Sequence, residues 1–133
     1  MTNPVTTWFD AHLRAIAPSI QATGQRIRAD VRPRIDSRTA PSGKAQKANT
    51  PATSAAKRKR VGHDVPLKDT GILSDPDRYT IAASDGGLTC TISPPTERRN
   101  VITHLRAKGY EVLEIPAEAK VWLEEELAAR LPK

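Results

Sequence analysis

The pattern of hydrophobic and polar positions predicts helices in the first quarter of the chain. In residues 4–17, apolar and aromatic side chains recur at helical spacing on one side: Trp8, Phe9, His12, Leu13 and Ile16. A second helical pattern follows Pro18 and ends at Pro33, with an apolar side made of Ile20, Ile27 and Val31. Because an internal proline removes a helical hydrogen bond, we expect Pro18 to interrupt or kink the helix. Residues 1–36 are thus predicted to be an N-terminal helical segment.

Strict alternation of apolar and polar positions predicts a β-hairpin in the second half of the chain. Over residues 78–84 the apolar positions are Tyr79, Ile81 and Ala83, and over residues 88–93 they are Leu88, Cys90 and Ile92. The intervening Ser84-Asp85-Gly86-Gly87 supplies residues that tolerate positive φ, as a hairpin turn requires.

The helical period returns after the hairpin. Residues 97–108 are predicted to form a helix that Gly109 ends, residues 110–115 a third strand, and the segment after Pro116 a final helix. Ala119, Leu123, Leu127 and Leu131 form the apolar line of that last helix, and Trp122 flanks it. Residues 66–133 are therefore predicted to be an α+β core, with a small antiparallel sheet and a C-terminal helix. Candidate interface residues are Trp8, Trp122, Glu124 and Glu125.

Residues 37–65 have a different composition from the segments on either side. They contain no aromatic residue, no Leu and no Ile, and they are rich in Ala, Ser, Thr, Pro and Lys. Such a segment buries too little apolar surface to offset its ordering entropy, so we expect an extended basic arm. Its sharpest feature is the run Lys57, Arg58, Lys59 and Arg60. This run is typical of a phosphate-binding clamp or of a contact with an acidic partner, but also of a solvated segment with no partner.

Charge is distributed unevenly along the chain. Residues 1–63 carry 12 Lys and Arg against three Asp and Glu, a charge of +9, and residues 64–133 carry nine against 12, a charge of −3. The asymmetry indicates an anionic partner for the first half, or a protomer that meets its neighbour head to tail. Aromatic residues make up only 4% of the chain, so its core is expected to be modest and partner surfaces to add stability.

We find no sequence motif for catalysis, for a cofactor or for a metal. Cys90 is the single cysteine, which excludes an intrachain disulfide, and the three histidines have no ligand spacing. Asp75 and Asp77, with Asp64 and Asp69 nearby, are carboxylates of the kind that bind divalent cations, but acidic turn residues more often cap and form turns. No apolar run approaches the length of a membrane span, and the N-terminus lacks the regions of a signal peptide. We therefore expect a protein without enzymatic activity, cofactor, metal or membrane contact.

A tight turn is predicted between the arm and the hairpin. The sequence there is Pro66-Leu67-Lys68-Asp69-Thr70-Gly71-Ile72-Leu73-Ser74. Asp and Thr bond nearby backbone N–H groups, and glycine adopts positive φ without steric cost. The residues assigned to this structural turn are Leu67, Asp69, Thr70, Gly71 and Leu73.

The same nine residues resemble the P-L-x-D-T-G-x-L-x-x-S signature of the phage virion morphogenesis proteins, a family that includes Mu-like head–tail joining and tail-completion proteins. The resemblance extends over residues 60–131 and includes Ile115-Pro116-Ala117, although Glu118-Ala119-Lys120 departs from the Arg-Pro-Phe that the family has next.

The resemblance implies a structural protein of the virion, at the neck or the head–tail junction, made in the host cytoplasm. It would act as a connector, stopper or tail terminator and assemble as a cyclic homo-oligomer with other neck, connector or tail proteins. Contact with packaged DNA stays open. The alternative is a small nucleic-acid-binding protein that uses the basic N-terminal half.

Overall fold

A computed structural model describes residues 4–68, 72–111 and 114–131. These residues form an α+β fold with five α-helices and one two-stranded antiparallel sheet, which confirms the predicted class and the C-terminal helix. In chain order the elements are α1 (Pro4–Ala29), α2 (Val31–Asp36), α3 (Pro51–Val61), β1 (Thr80–Ser84), β2 (Thr89–Ser93), α4 (Arg99–Ala107) and α5 (Ala119–Arg130).

The N-terminal segment contains one long helix where two were predicted. Helix α1 runs through Pro18 without a break and covers 26 residues. Ala15 and Ser19, on either side of the proline, are both buried. Packing of a helix face stabilises a helix more than local propensity does, and this packing offsets the hydrogen bond that Pro18 cannot make. Pro33 does not end a helix either, because it lies in the first turn of α2, where the N–H groups lack helical partners anyway.

Helix α1 lies across the hairpin and is close enough to it to require a glycine. A Cβ atom at position 24 would overlap the Cys90 sulfur and lie 3.3 Å from Ile81 Cδ1. The amide of Gln21 also donates to the carbonyl oxygens of Gly87, at 2.8 Å, and Thr89, at 3.0 Å. Helix and hairpin are thus joined both by close apolar packing and by hydrogen bonds to the backbone of the turn.

The hairpin forms where the sequence predicts it and uses the predicted turn. Thr80 pairs with Ser93 and Ser84 with Thr89. Asp85, Gly86 and Gly87 have φ of 53°, 68° and 91°, in the left-handed region that the turn sequence predicts. The alternation placed Ala83 and Leu88 on the apolar side, but both are exposed, and Leu88 belongs to the turn.

Helix α5 packs antiparallel to the C-terminal half of α1. Arg26 Nη1 lies 2.9 Å from Glu125 Oε2, and its guanidinium carbon lies 5.2 Å from the centre of the Trp122 ring. Glu118, just before α5, reaches Arg34 in α2 at 3.0 Å. These contacts fix α5 beside residues 26–34, and its predicted apolar line faces the body: Ala119 is buried, and Leu123, Leu127 and Leu131 are half-buried.

The predicted extended arm is wrong for residues 38–46 and 51–61, which are folded. Residues 38–46 close a tight loop in which Gln46 N donates to Arg38 O at 2.8 Å and Ala40 N to Lys44 O at 2.7 Å. Residues 51–61 form α3, because Thr50 caps its first turn at Thr53 N, Pro51 suits its first position, and Gly62 ends it with a φ of 83°. Capping and turn chemistry thus order a segment whose composition predicts disorder.

The loop at residues 38–46 is fastened to the segment before α5. Gln46 exchanges two side-chain hydrogen bonds with the Glu111 backbone, at 3.0 and 3.2 Å, and the Ser42 hydroxyl donates to Glu111 Oε2 at 2.9 Å. The third strand predicted over residues 110–115 is wrong at the described positions 110, 111, 114 and 115, none of which is in a strand. Side chains of Ser42 and Gln46, in the segment that was predicted to be an extended arm, bond Glu111 in place of the strand hydrogen bonds that were expected there.

Candidate functional site

The basic run of the sequence lies in the last two turns of α3, where Lys57 and Arg58 are engaged within the chain. Lys57 is buried and donates through Nζ to the Val65 carbonyl oxygen at 2.6 Å. Arg58 Nη2 lies 2.6 Å from Asp64 Oδ2, and Arg38 Nη2 lies 2.8 Å from the other oxygen of the same carboxylate. Lys57 therefore does not share one exposed surface with the rest of the run, and the contact of the run with phosphate or an acidic partner stays a prediction.

Asp64 is the electrostatic centre of this region. The hydrogen bond from Arg38 holds the pKa of its carboxyl below the usual range, and the charges of Arg38 and Arg58 act in the same direction. Asn49 Nδ2 donates to the Asp64 carbonyl oxygen at 3.0 Å, which fixes the backbone of this residue. The basic residues at the end of α3 also complement the negative end of its dipole. Much of the local positive charge thus stabilises the fold of the segment itself.

The predicted structural turn is described in part. Leu67 and Leu73 are buried and pack against Ile102, with Ile35, Leu105 and Tyr110 around them. Asp69, Thr70 and Gly71 lie outside the described residues, so the predicted positive φ of Gly71 stays a prediction. Leu67 itself has a φ of 66°, a left-handed conformation that bulky residues seldom adopt. The apolar anchors of the turn thus form a small core with side chains of α2 and α4.

Tyr79 holds this turn to the hairpin. Its ring is buried, and its hydroxyl donates to the Leu73 carbonyl oxygen at 2.7 Å. Burial raises the pKa of Tyr79 to about 12, because the phenolate would lose its hydration in the apolar surroundings. Arg28 Nη1 of α1 reaches the Tyr79 carbonyl oxygen at 3.4 Å. Tyr79 thus links turn, hairpin and α1.

The four predicted interface residues separate into two groups. Trp8 is 56% exposed in the first turns of α1, whereas Trp122 is half-buried beneath Arg26. Glu125 pairs with Arg26, and Glu124 is exposed on α5. Trp8 therefore belongs to a surface of large exposed side chains, which also includes Phe9 and Leu13, and Trp122 belongs to the packing of α1 on α5.

An open apolar cleft of about 510 Å³ lies between α1, α2, the hairpin and α5. Its floor consists mainly of aliphatic side chains of these elements, including Ile20, Ile27, Val31, Ile92 and Leu123. No sequence motif identified the cleft. The available signal was the apolar stripe of Ile20, Ile27 and Val31, but a stripe of this kind is usually covered by the chain itself.

Charged residues at the edge of the cleft are joined to other parts of the chain. Arg34 bonds the Asp30 carboxylate through Nε, the Ala40 carbonyl oxygen at 2.9 Å and Glu118 Oε2 at 3.0 Å. Desolvation by burial lowers the pKa of Arg34, but bonds and charges from Asp30 and Glu118 outweigh it, and the net pKa is raised. Glu114 binds Arg106 at 2.7 Å on the same edge. The cleft therefore combines an apolar floor with an edge of ion pairs.

The candidate metal-binding aspartates are not brought together. Asp75 accepts a hydrogen bond from Asp77 N at 3.0 Å, as a turn-forming residue does, and Asp64 is held by two arginines. Asp69 lies outside the described residues. Among the described residues no group of three or more His, Cys, Asp or Glu side chains is placed to hold a metal ion. In the same part of the chain, no helix has the length and apolar character needed to cross a membrane.

Comparisons of this chain with protein-family models, with curated proteins and with solved structures found no match.

Proposed function

We propose that this chain is a structural subunit of a phage neck that assembles as a ring in head–tail joining or tail completion. The observation that carries the assembly part is the exposed apolar surface at the start of α1. Trp8, Phe9 and Leu13 are each more than half exposed, at 56%, 54% and 57%. A small soluble monomer seldom leaves such large side chains together in water, so a partner surface is the physical expectation.

The phage part of the proposal rests on the resemblance of residues 66–74 to the virion morphogenesis signature. In this chain the signature's apolar residues Leu67 and Leu73 are core residues. A motif that builds a core with side chains of α2 and α4 suits a protein whose role is to present rigid surfaces to neighbours. The proposed role needs no bound cofactor or metal.

A head-to-tail contact joins two unlike surfaces of neighbouring subunits and repeats around a symmetry axis until the ring closes. The first 63 residues carry +9 and the remainder −3. Ion pairs within the chain, such as Arg26–Glu125 and Arg34–Glu118, use part of this charge, and the remaining basic excess favours an acidic surface on a neighbour. Closure gives each subunit two neighbours, so contacts that are weak one at a time hold a stable ring.

The alternative function is nucleic-acid binding by the basic N-terminal half. The 12 Lys and Arg in residues 1–63 favour it. Against it, Lys57, Arg58 and Arg38 are engaged with Val65 and Asp64, which reduces the number of cations that phosphates would meet. Few released counterions mean weak binding with a shallow dependence on salt.

Particle imaging and DNA binding on the same purified protein test the two functions. Electron microscopy and mass photometry should show closed rings of uniform size, and added phage heads or tails that lack this protein should acquire it at the junction. Fluorescence anisotropy with duplex DNA at 50 and 200 mM salt should show weak binding. Monomers that bind DNA with a steep loss of affinity over this salt range would overturn the ring proposal and favour the alternative.

A further inference from the structure

The first three turns of α1 carry large exposed side chains, whereas later residues of the helix pack on the hairpin and α5. Helix α1 has 26 residues and α5 has 12, which correspond to lengths of about 39 and 18 Å. The Arg26–Glu125 ion pair aligns α5 with the C-terminal half of α1. Nearer the N-terminus of α1, the hairpin turn reaches the helix at Ala17, where a Cβ atom on Gly87 would lie 3.0 Å from the Ala17 Cβ atom. The contacts with the hairpin and α5 at Ala17, Gln21 and Arg26 thus belong to the part of α1 after residue 14.

Aromatic side chains in the first turns of α1 pack against one another. The rings of Trp8 and Phe9 meet edge to face with centres 5.3 Å apart, and the rings of Trp8 and His12 lie 3.8 Å apart. His12 Nδ1 lies 2.7 Å from the Trp8 carbonyl oxygen. We call Trp8, Phe9, His12 and Leu13 the aromatic end of α1. Preorganised aromatic side chains lose little conformational entropy on binding and commonly act as anchors in interfaces.

The apolar cleft has the complementary properties. Its floor is aliphatic, and its charged edge is held inside the chain by Arg34 with Asp30 and by Glu114 with Arg106. Its volume of about 510 Å³ lies within the range of about 300–1,000 Å³ that is usual for pockets that bury most of a bound group. Ile115 stands at its edge and is 77% exposed. The cleft thus offers apolar surface that favours an apolar occupant.

We propose that the aromatic end of α1 in one copy of the chain inserts into the apolar cleft of a neighbouring copy. The proposal deepens the proposed ring assembly and rests on it. The occupant belongs to another copy because Ile20, Gly24 and Ile27 of the same helix line the cleft. Trp8 and Ile20 are 12 residues apart on a continuous helix, a separation of about 18 Å that a straight helix cannot reverse. Two different surfaces meet, so the contact is heterologous and propagates to a ring or a filament.

The size of the contact suits an assembly of repeated weak interfaces. Half-exposed aromatic and aliphatic side chains of this kind contribute roughly 400–500 Å² on the helix side, since a fully buried aromatic residue covers about 150–250 Å². With a similar area from the cleft, the total is about 900 Å², below the roughly 1,600 Å² of a standard stable pair. A single pair should therefore dissociate readily, and stability should come from ring closure.

Salt dependence distinguishes this contact from one made by the basic run. Residues 4–14 contain one acidic residue, Asp10, and one basic residue, Arg14, so the aromatic end has no net charge with neutral histidine. At 1 M salt the screening length is about 3 Å, which weakens exposed ion pairs but leaves apolar contacts intact. Assembly through the cleft should therefore persist at 1 M NaCl.

Assembly variants test the proposal on the full chain. We compare wild type with W8E/F9E, which alters the aromatic end, and with I115E, which alters the cleft edge, using sedimentation velocity and mass photometry. All three substitutions replace exposed side chains, and circular dichroism and thermal melting verify the fold. The matched control is V121E, an equal change at a 51% exposed position on α5 outside the residues that line the cleft. We expect rings for wild type and V121E, and at least a tenfold weaker association for the other two variants.

Mixing the two defective variants gives the sharpest result. W8E/F9E keeps an intact cleft and I115E keeps an intact aromatic end, so their mixture should form heterodimers that cannot extend. Rings that persist in both variants overturn this contact but leave the proposed ring function standing. A wild-type protein that stays monomeric at every concentration overturns both.

Cross-linking through the single native cysteine reports the pair of surfaces directly. Cys90 lines the cleft, and Val5 lies on the same side of α1 as Trp8 and Phe9. A short bis-maleimide should link V5C to Cys90 of a neighbour and give a ladder on a denaturing gel. The ladder should disappear in V5C/C90A. Equal cross-linking in V5C/C90A would show that two aromatic ends meet each other, which would overturn the proposed insertion.

Discussion

The two halves of α1 differ in what covers them, although both carry apolar residues at helical spacing. Residues 15–29 lie against the hairpin and α5, and Ala15, Ser19 and Thr23 there are buried. Residues 4–14 carry Trp8, Phe9 and Leu13 with more than half of each side chain in water. The comparison shows that an apolar stripe predicts a contact but does not say whether the contact is made within the chain.

Side-chain size separates the two halves more clearly than hydrophobicity does. The packed half uses small residues at its closest contacts, such as Gly24 against Cys90, because only these let a helix backbone approach a strand. The exposed half uses large aromatic residues, which gain most when they enter a cleft in a partner. Small residues in a stripe thus favour packing inside the chain, and large aromatic residues near a helix end favour packing against another molecule.

The largest effect is expected at Gly24 in the packed half. Gly24→Val should lower the free energy of unfolding by about 3 kcal/mol, because the added side chain overlaps the Cys90 sulfur and forces the helix from the hairpin. Urea denaturation followed by circular dichroism measures the loss.

Removal of the Cys90 sulfur atom provides the control for the prediction at Gly24. Gly24→Ala should cost about 1–2 kcal/mol in the wild-type background, and less than half as much in Cys90→Ala, where the overlapping atom is absent. Equal costs in both backgrounds would mean that α1 does not approach β2 as closely at this point.

A medium effect on the free energy of unfolding is expected at Tyr79, whose carbonyl oxygen accepts a hydrogen bond from Arg28 in the packed half of α1. Tyr79→Phe leaves the Leu73 carbonyl oxygen without the 2.7 Å hydrogen bond and should cost about 1–2 kcal/mol at neutral pH. Leu73→Ala would not test this bond, because the acceptor is the backbone carbonyl oxygen, which alanine keeps.

The dependence of stability on alkaline pH gives a second test of the Tyr79 environment. The pKa of Tyr79 is raised in the folded chain from 10.0 to about 12. The stability from this shift is fully present below pH 10 and is lost as the pH rises from 10 to 12, because the unfolded chain releases the proton first. Wild type should therefore lose more stability than Tyr79→Phe between pH 9 and pH 11.5, as measured by urea denaturation at each pH. Parallel losses in the two proteins would contradict the raised pKa.

A smaller effect is expected at Gln21, which joins α1 to the hairpin turn. Gln21→Ala removes the side-chain bonds to the carbonyl oxygens of Gly87 and Thr89 and should cost about 1 kcal/mol. Gln25→Ala is the matched control, because Gln25 lies one turn further on an exposed position and bonds only Arg28 among the described contacts. Hydrogen exchange should show faster opening of β2 amides in Gln21→Ala alone.

Local sequence patterns predicted the hairpin well because its signals are local. Alternation fixed the facing of Ile81, Cys90 and Ile92, and Asp85 to Gly87 supplied the positive φ that the turn uses. The final helix was predicted by its apolar line. The interruption predicted at Pro18 is wrong for the opposite reason. The proline does cost a helical hydrogen bond, but the burial of Ala15 and Ser19 around it depends on distant residues.

The arm and the cleft depend on contacts that composition cannot show. Composition predicted disorder for residues 37–65, whereas caps at Thr50 and Gly62 and the bonds between Gln46 and Glu111 order the described structure. Lys57 to Arg60 looked like one charged surface, and only the fold brings Asp64 and the Val65 carbonyl oxygen next to them. The cleft likewise depends on the tertiary structure, because α1, α2, the hairpin and α5 all contribute residues to it.

The smallest effect on the monomer is expected at Trp8, in the exposed half. Trp8→Ala should change the free energy of unfolding by no more than about 0.5 kcal/mol in dilute, monomeric protein, since its ring contacts only Phe9 and His12 among the described aromatic groups. The same substitution should weaken assembly at least tenfold, because the ring is then missing from the contact between copies. Denaturation at low protein concentration and mass photometry at high concentration measure the two quantities separately. A loss of more than 1 kcal/mol in the monomer would mean that the aromatic end packs against its own chain, and the contrast between the two halves of α1 would no longer hold.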